Sequence, residues 1–394
     1  MTRFQRHLNL YAYAVKCIFT FKARTVSIVS SLIIAIMVLG TVAFLADGLE
    51  QEAELSAAFA PDVTVQYLQA GRQIPIPMKY GEIIGRMSGV KVVPRVWGYI
   101  YFHNKLYTVM GIDPAHMPIP KEISLAIASG RFLKADDVGA GVVGDFLARS
   151  FDLRAGDVIV LYDQSMRPFN ITVVGIFTTD VQLYAADLIL ISISDARAFF
   201  EMEEQVATDL CVYVEDGART RFAAEEVLKE IPNARVLTRG ALKEALLAAY
   251  GARSGFVSVV WLILLFSVML VAWNQESAAS SEARREVGIL KALGFSTGDI
   301  LEVRLIEAAI LGTLSASLGV FLAIVYSVYL GAPVLKEFML GWAAIYPEFP
   351  LPLRIKFSTL CSLYAIAVFP LLVGSVIPAW TSAITEPDVA VRGT

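Results

Sequence analysis

The chain has 394 residues, of which 56% are hydrophobic and 18% charged; its net charge is −4 and its mean hydropathy +0.60. That weak negative balance excludes the broad basic field on which nucleic-acid binding depends. Four uncharged runs of about 18 residues or more exclude an ordinary soluble domain and predict a membrane protein with four transmembrane α-helices.

Residues 1–24 hold Arg3, Arg6, Lys16, Lys22 and Arg24 and no acid. Leu8, Tyr11, Val15, Ile18 and Phe19 give them one apolar face, so the segment is read as a cytoplasmic interfacial helix. A basic targeting leader has a similar composition but would not run straight into a membrane span. Residues 25–46 are the first predicted span, about 30 Å of helix over the apolar run from Val26 to Ala46. The run is too long for a cleaved signal peptide, and LADGLEQE after it offers no small-residue cleavage pattern. Basic residues precede the span, and Asp47, Glu50, Glu52 and Glu54 follow it. The positive-inside rule then places the N-terminus in the cytoplasm.

Residues 47–254 are predicted to form an extracytoplasmic α+β domain with stalk ends, inserted between the first two spans. Leu49, Leu55 and Phe59 extend the first helix outward as a stalk that Pro61 ends. Asp62 to Leu68 alternates as a strand does. Val96 to Phe102 and Leu106 to Met110 read as a hairpin turned at His103-Asn104, and Asp157 to Tyr162 with Asn170 to Phe177 as a second pair. Asp195 to Glu203 and Thr220 to Glu230 read as helices, with Leu210 to Val214 a strand between them. Arg239 to Arg253 is the expected returning stalk.

The later spans are placed at 255–273, 305–330 and 357–378, the last with Pro370 as an expected kink. Between them lie a cytoplasmic segment, 274–304, and a short outer loop, 331–356, whose Trp342 and Tyr346 suit a membrane interface. Residues 379–394 form a cytoplasmic tail. On the third span Gly312 and Gly319, with Ser315 and Ala316 between them, make a small-residue face suited to close helix contact, read as a dimer candidate. Glu307 is an acid inside that span and a functional candidate by default; it is read as a coupling group paired with Arg304 at i, i+3.

One charged amphipathic stretch lies between two long apolar runs, Ser281 to Ile300, with the sequence SEARREVGILKALGFSTGDI. Val287, Leu290 and Leu293 fall at helical spacing with Ile289 close by, and Arg284, Arg285, Glu286 and Lys291 supply the polar side. Gly294 stands where a C-terminal cap would end the helix, and Ser296 or Thr297 where a second would begin.

The run from Arg285 resembles the cytoplasmic coupling segment of MacB/FtsX-like permeases, the membrane subunits of one class of ABC transporter. Arg285, Glu286, Gly288, Lys291, Ala292, Leu293, Gly294 and Asp299 stand in that family's pattern. The glycines and strands from Gly130 to Phe177 resemble the family's extracytoplasmic domain more loosely. Pro378, Ala379, Glu386, Pro387, Ala390 and Arg392 resemble its tail, though without the arginines usual after Pro-Ala.

The resemblance implies a permease subunit of a bacterial cytoplasmic (inner) membrane, multi-pass, with both termini cytoplasmic. It implies a partner ABC ATPase that binds the ATP, and a second permease copy or paralogue. Membrane lipids and a periplasmic adaptor or lipoprotein are further expected partners. The ATPase-coupling residues would be Arg284, Arg285, Glu286, Gly288, Leu290, Lys291, Leu293 and Gly294. The expected output is export or extraction of a hydrophobic or amphiphilic substrate; the alternative is a non-transporting mechanotransmission or signalling subunit.

Other patterns carry less. Gly139, Gly141 and Gly144 spell G-x-G-x-x-G, but the polar KADDV before them is not the buried strand a dinucleotide site needs, so they are read as turn glycines. The sequence contains no G-x-x-x-x-G-K-S/T loop, so no enzymatic motor and no cofactor of its own are expected. His103, His116, Met110, Met117 and Cys211 are soft ligands in no recognised metal spacing, and read as a surface histidine and core residues. Cys17, Cys211 and Cys361 lie too far apart to predict a disulfide framework, and no nucleophile set is visible.

Overall fold

The protein is described here as a computed structural model covering residues 3–114, 126–178, 187–250, 255–278, 288–335 and 353–384. It divides into two compact units, one built from Met1–Gly48, Ala252–Met339 and Leu353–Thr394 and the other on Leu49–Gly251. The chain opens with α1 (Arg3–Thr20) and α2 (Lys22–Phe59), the latter one unbroken helix of 38 residues. At 1.5 Å per residue it is about 57 Å long, well beyond the roughly 30 Å of a bilayer's apolar core. It ends just before Pro61, where the sequence placed its stop.

The second unit begins with β1 (Val63–Gln69), β2 (Arg72–Ile74), β3 (Ile76–Pro77), α3 (Lys79–Gly85), β4 (Val90–Phe102) and β5 (Lys105–Ile112). Next come β6 (Ala126–Gly130), β7 (Ala140–Gly144), α4 (Asp145–Ser150), β8 (Val158–Tyr162), β9 (Pro168–Thr178) and β10 (Leu188–Ser192). It closes with α5 (Ile193–Phe199), β11 (Val206–Ala207), β12 (Asp209–Val214), α6 (Thr220–Glu230), β13 (Ala234–Thr238) and α7 (Arg239–Tyr250). Eleven strands form one sheet in the order β13-β1-β12-β4-β5-β10-β7-β9-β6, with β2 on β1 and β8 on β9. The pairs β5–β10 and β7–β9 are parallel and the other pairs antiparallel. Both expected hairpins are present, and both φ angles at the His103-Asn104 turn are positive (45° and 66°), the geometry of a type I′ connection.

Strand β10 explains why part of this sheet is hard to see in the sequence. Ile189 and Ile191 enter one hydrophobic cluster with Val96, Tyr107 and Leu210, while Leu188 and Leu190 enter another with Met110 and Val142. Both faces are buried, so the strand reads as a continuous apolar run without alternation. Strand β4 begins at Val90, six residues before the expected Val96, because its first half pairs with β12 and its second with β5. At the changeover the buried Asp209 carboxylate accepts from Arg95 Nε at 2.8 Å and from Trp97 Nε1 at 2.9 Å. The reading of all three glycines in G-x-G-x-x-G as turn residues is corrected. Only Gly139 is left-handed (φ 63°), whereas Gly141 and Gly144 belong to β7, where a Cβ on Gly141 would lie 2.5 Å from Ile171 Cγ2. The Gly139 N–H donates to the Asp195 carboxylate at 2.9 Å, which places an acid where a phosphate would have to sit.

The C-terminal part of the first unit contains α8 (Gly255–Ala278), α9 (Thr297–Tyr329) and α10 (Phe357–Ile384). Among the described residues, α2, α9 and the Phe357–Gly374 part of α10 are long and apolar enough to cross a membrane, and α8 adds a shorter apolar stretch, Ser258–Leu270. Small residues set how these helices meet. A Cβ on Gly312 would lie 2.9 Å from Val368 Cα on α10, and one on Gly319 would lie 2.7 Å from Ile36 Cβ on α2. The small-residue face of α9 is thus occupied from within the chain, by α10 and α2. Near the start of α10, buried Asp47 accepts from Thr359 Oγ1 at 2.6 Å and pairs with Lys356 at 3.3 Å. Trp342 and Tyr346, and the tail residues from Glu386 on, lie outside the described residues.

Candidate functional site

The coupling segment is described from Gly288. Residues 288–292 form a helical turn, and Gly294 terminates it in the left-handed region (φ 92°). The Phe295 N–H donates to Leu290 O at 3.0 Å and the Gly294 N–H to Lys291 O at 2.9 Å. Those two bonds are the 6→1 and 5→2 pair of a Schellman motif, which satisfies carbonyls that a helix end leaves without partners. Of the two residues able to start the next helix, Ser296 does so. Its hydroxyl accepts from the Asp299 N–H, and the Asp299 carboxylate accepts from the Ser296 N–H at 2.9 Å, a reciprocal capping box.

The N-terminal helix braces this junction. Arg6 Nη2 lies 2.5 Å from Asp299 Oδ2, and His7 Nδ1 lies 2.5 Å from Glu302 Oε1. Beneath these polar contacts Leu10, Ala14 and Val303 form a small cluster against which Tyr13 and Phe295 pack, their ring centroids 6.3 Å apart. Helix α1 therefore has two apolar faces. Of the face inferred from the sequence, Leu8, Tyr11 and Phe19 stay exposed while Val15 and Ile18 are half-buried, and the face bearing Leu10, Ala14 and Cys17 is buried. Arg6 and Asp299 were both visible in the sequence, but nothing in a single sequence pairs residues 293 positions apart.

Exposure tells which way the segment faces. Leu290 is 8% exposed, whereas Ile289 is 52% and Leu293 72% exposed. Gly288 is buried and Lys291 half-buried. Arg284, Arg285 and Glu286 lie outside the described residues. One turn further along α9, Arg304 and Glu307 are both buried and paired at 2.8 Å, the expected i, i+3 contact. Of the sequence's soft-ligand group, His103 sits in its turn against Phe102 and Phe151, and Met110 is in the core. Cys211 is buried in the sheet, where burial pushes its thiol up to about 12; His116 and Met117 lie outside the described residues.

Residues 257–387 match the family model described as FtsX-like permease C-terminal. Over 213 residues the chain is 28% identical to an uncharacterized ABC transporter permease of Methanocaldococcus jannaschii, which takes in 52% of this chain and 52% of that protein. The chain thus spans about half the length of the curated relative it matches. The family match contains the 288–294 turn and all of α9 and α10. In its C-terminal part the chain is thus similar to FtsX-like permeases, and over about half of its length to an ABC transporter permease.

Proposed function

We propose that this chain is the transmembrane subunit of an ABC transporter in a cytoplasmic membrane, and that the 288–294 turn receives the push of a separate ATPase subunit. The observation that carries this reading is an apolar pair, Ile289 and Leu293, held exposed on a turn whose caps and neighbours are ordered. An isolated turn of five residues is far too short to hold its shape alone. Here the Schellman bonds, the capping box and the Arg6–Asp299 contact hold it.

The mechanism follows from that construction. A partner groove takes Ile289 and Leu293, and the basic and acidic residues at 284–286 set the register. Gly288 and Gly294 fix the turn's backbone, and Lys291 edges its polar side. Displacement of the turn carries α9 through the capping box and α1 through Arg6. Helix α9 in turn bears on α2 and α10 through Gly319 and Gly312, where no side chain cushions the contact. The α+β unit, on the extracytoplasmic side in this reading, changes its grip on a hydrophobic or amphiphilic substrate, with a second permease copy completing the transporter.

Co-purification from the native organism tests the reading. An ABC ATPase should be recovered with the wild-type chain and lost from Leu293→Arg, while Leu293→Met keeps it. Equal recovery with all three chains would contradict the assignment.

A further inference from the structure

Four strands of the large sheet pair on one side only among the described residues: β13, β6, β2 and β8. A free strand edge offers its backbone to any chain able to add to it, and proteins protect such edges with charge, brevity or irregularity. Three of the four are protected in this way. Strand β2 has three residues and begins with Arg72, β13 carries Arg235, and β6 shifts register between Ile127 and Ser129. Strand β8 is five residues, VIVLY, with no charge, no proline and no register shift.

The hydrogen bonds around β8 show which of its backbone groups are free. The Asp163 N–H donates to Arg167 O at 3.1 Å and the Val173 N–H to Asp157 O at 2.8 Å, so Asp157 and Asp163 lie in bonded pairs with the β9 side of the hairpin. The alternation of an antiparallel ladder then turns the N–H and C=O groups of Val158, Val160 and Tyr162 away from β9. In agreement, the Thr172 N–H, opposite Val158, points away from β8 and donates to Gly139 O at 2.8 Å. The same three residues expose their side chains, while Ile159 and Leu161 enter the core. Their partners across the ladder, Thr172, Asn170 and Pro168, are exposed as well. An unpaired edge and an uncovered apolar row therefore coincide on one strand. Both ends of that strand are acidic. Arg167 is shared between Asp163 and Glu201, at 2.8 and 2.6 Å, which leaves one negative charge at that end. Asp157 is exposed at the other end, where its carboxylate accepts from the Arg154 backbone N–H at 2.7 Å.

We propose that β8 is the docking edge for an extended segment of a partner protein. The segment adds as a further strand, sets alternate apolar side chains beside Val158, Val160 and Tyr162, and carries Lys or Arg at its ends. In strand addition of this kind main-chain hydrogen bonds supply the affinity and alternate side chains the selectivity. The charge pattern distinguishes the occupants. A second copy, paired two-fold about Val160, would set Asp157 opposite the partner's Asp163 at both ends, a like-charge contact. A segment with basic ends turns both contacts into attractions. The inference concerns the α+β unit alone and does not rest on the ATPase reading.

The test uses the full chain in phosphatidylcholine nanodiscs, with Cys17 and Cys361 replaced by alanine, and a fluorescent probe peptide, Lys-Val-Thr-Val-Thr-Val-Lys, followed by anisotropy. The parent chain should bind the peptide saturably. Val160→Pro removes an N–H that the ladder with β9 does not use, a change that edge strands tolerate. It should weaken binding about tenfold, whereas Val160→Thr should change it less than about twofold. Val158→Lys, which gives β8 the kind of charge that β2 and β13 carry, should weaken it as much as the proline. Replacing both lysines of the peptide by glutamate should also weaken it about tenfold. N-methylation along one edge of the peptide should abolish binding, and along the other edge should leave it intact. Buried Cys211, still protected from maleimide, identifies the variants that are folded. Absence of saturable binding, unchanged binding in a folded Val160→Pro or Val158→Lys chain, or equal binding of the glutamate peptide or of the two N-methylated peptides would overturn the proposal. A bismaleimide crosslink between two copies through Val160→Cys, blocked by the peptide, would put a second copy on the edge and overturn the assignment to a partner protein.

Discussion

Two short helical elements of this chain use their apolar residues in opposite ways. Helix α5 buries Ala196 and Phe199 against the sheet, with Phe199 between the rings of Phe169 and Phe200. The 288–292 turn also buries a large apolar side chain, Leu290, but leaves Ile289, and Leu293 just after it, exposed. Neither is long enough to be stable on its own. Helix α5 is ordered by the core it covers, and the turn by its caps and by α1. The difference separates an element that exists to complete a fold from one that is held rigid and left uncovered, which is what a docking element needs.

The comparison breaks first at α5. Phe199→Ala should destabilise the α+β unit by about 3–5 kcal/mol, the usual range for emptying a buried aromatic site. Labelling of Cys211 by a maleimide, in a C17A C361A background, reads that opening. The buried thiol, pushed up to about 12, should resist labelling at neutral pH in the parent and become reactive in the variant. Asp299→Ala removes the capping box and the Arg6 contact together and should lower the melting temperature by the equivalent of about 1–2 kcal/mol. Cys211 should stay protected in it. Gly294→Ala has open space for its methyl group but must adopt a φ of 92°, so a backbone cost of about 1–2 kcal/mol is expected. Leu293→Ser should change stability by no more than about 0.5 kcal/mol, as for an exposed position, and still lose the ATPase. A large stability loss in that last variant would mean that Leu293 packs inside the fold and is not a docking residue.

Much of the architecture was legible because local chemistry announces it. His103-Asn104 supplied the turn, Thr220 to Glu230 the helix, and Gly294 the cap, each from adjacent residues. What stayed hidden depended on distant partners. Strand β10 lost its alternation because both its faces are covered. Helical spacing puts Leu290 with Leu293 among the coupling residues and leaves Ile289 beside that face, whereas the fold buries Leu290 and exposes Ile289, a choice that tertiary packing makes. The brace itself joins Arg6 to Asp299 across most of the chain, and charge alone gave five basic residues before Thr25 no order of preference. The small-residue face of α9 was visible, but its occupants, Ile36 and Val368, were not.

The central claim is that the open side of the 288–294 turn meets an ATPase. Photocrosslinking in the native membrane tests it most directly, with a benzophenone amino acid placed in turn at Ile289, Leu290 and Leu293. The account predicts an adduct with an ABC ATPase from positions 289 and 293 and none from 290. Adducts from 290 alone, or only with lipid or a second copy of the chain from 289 and 293, would contradict it.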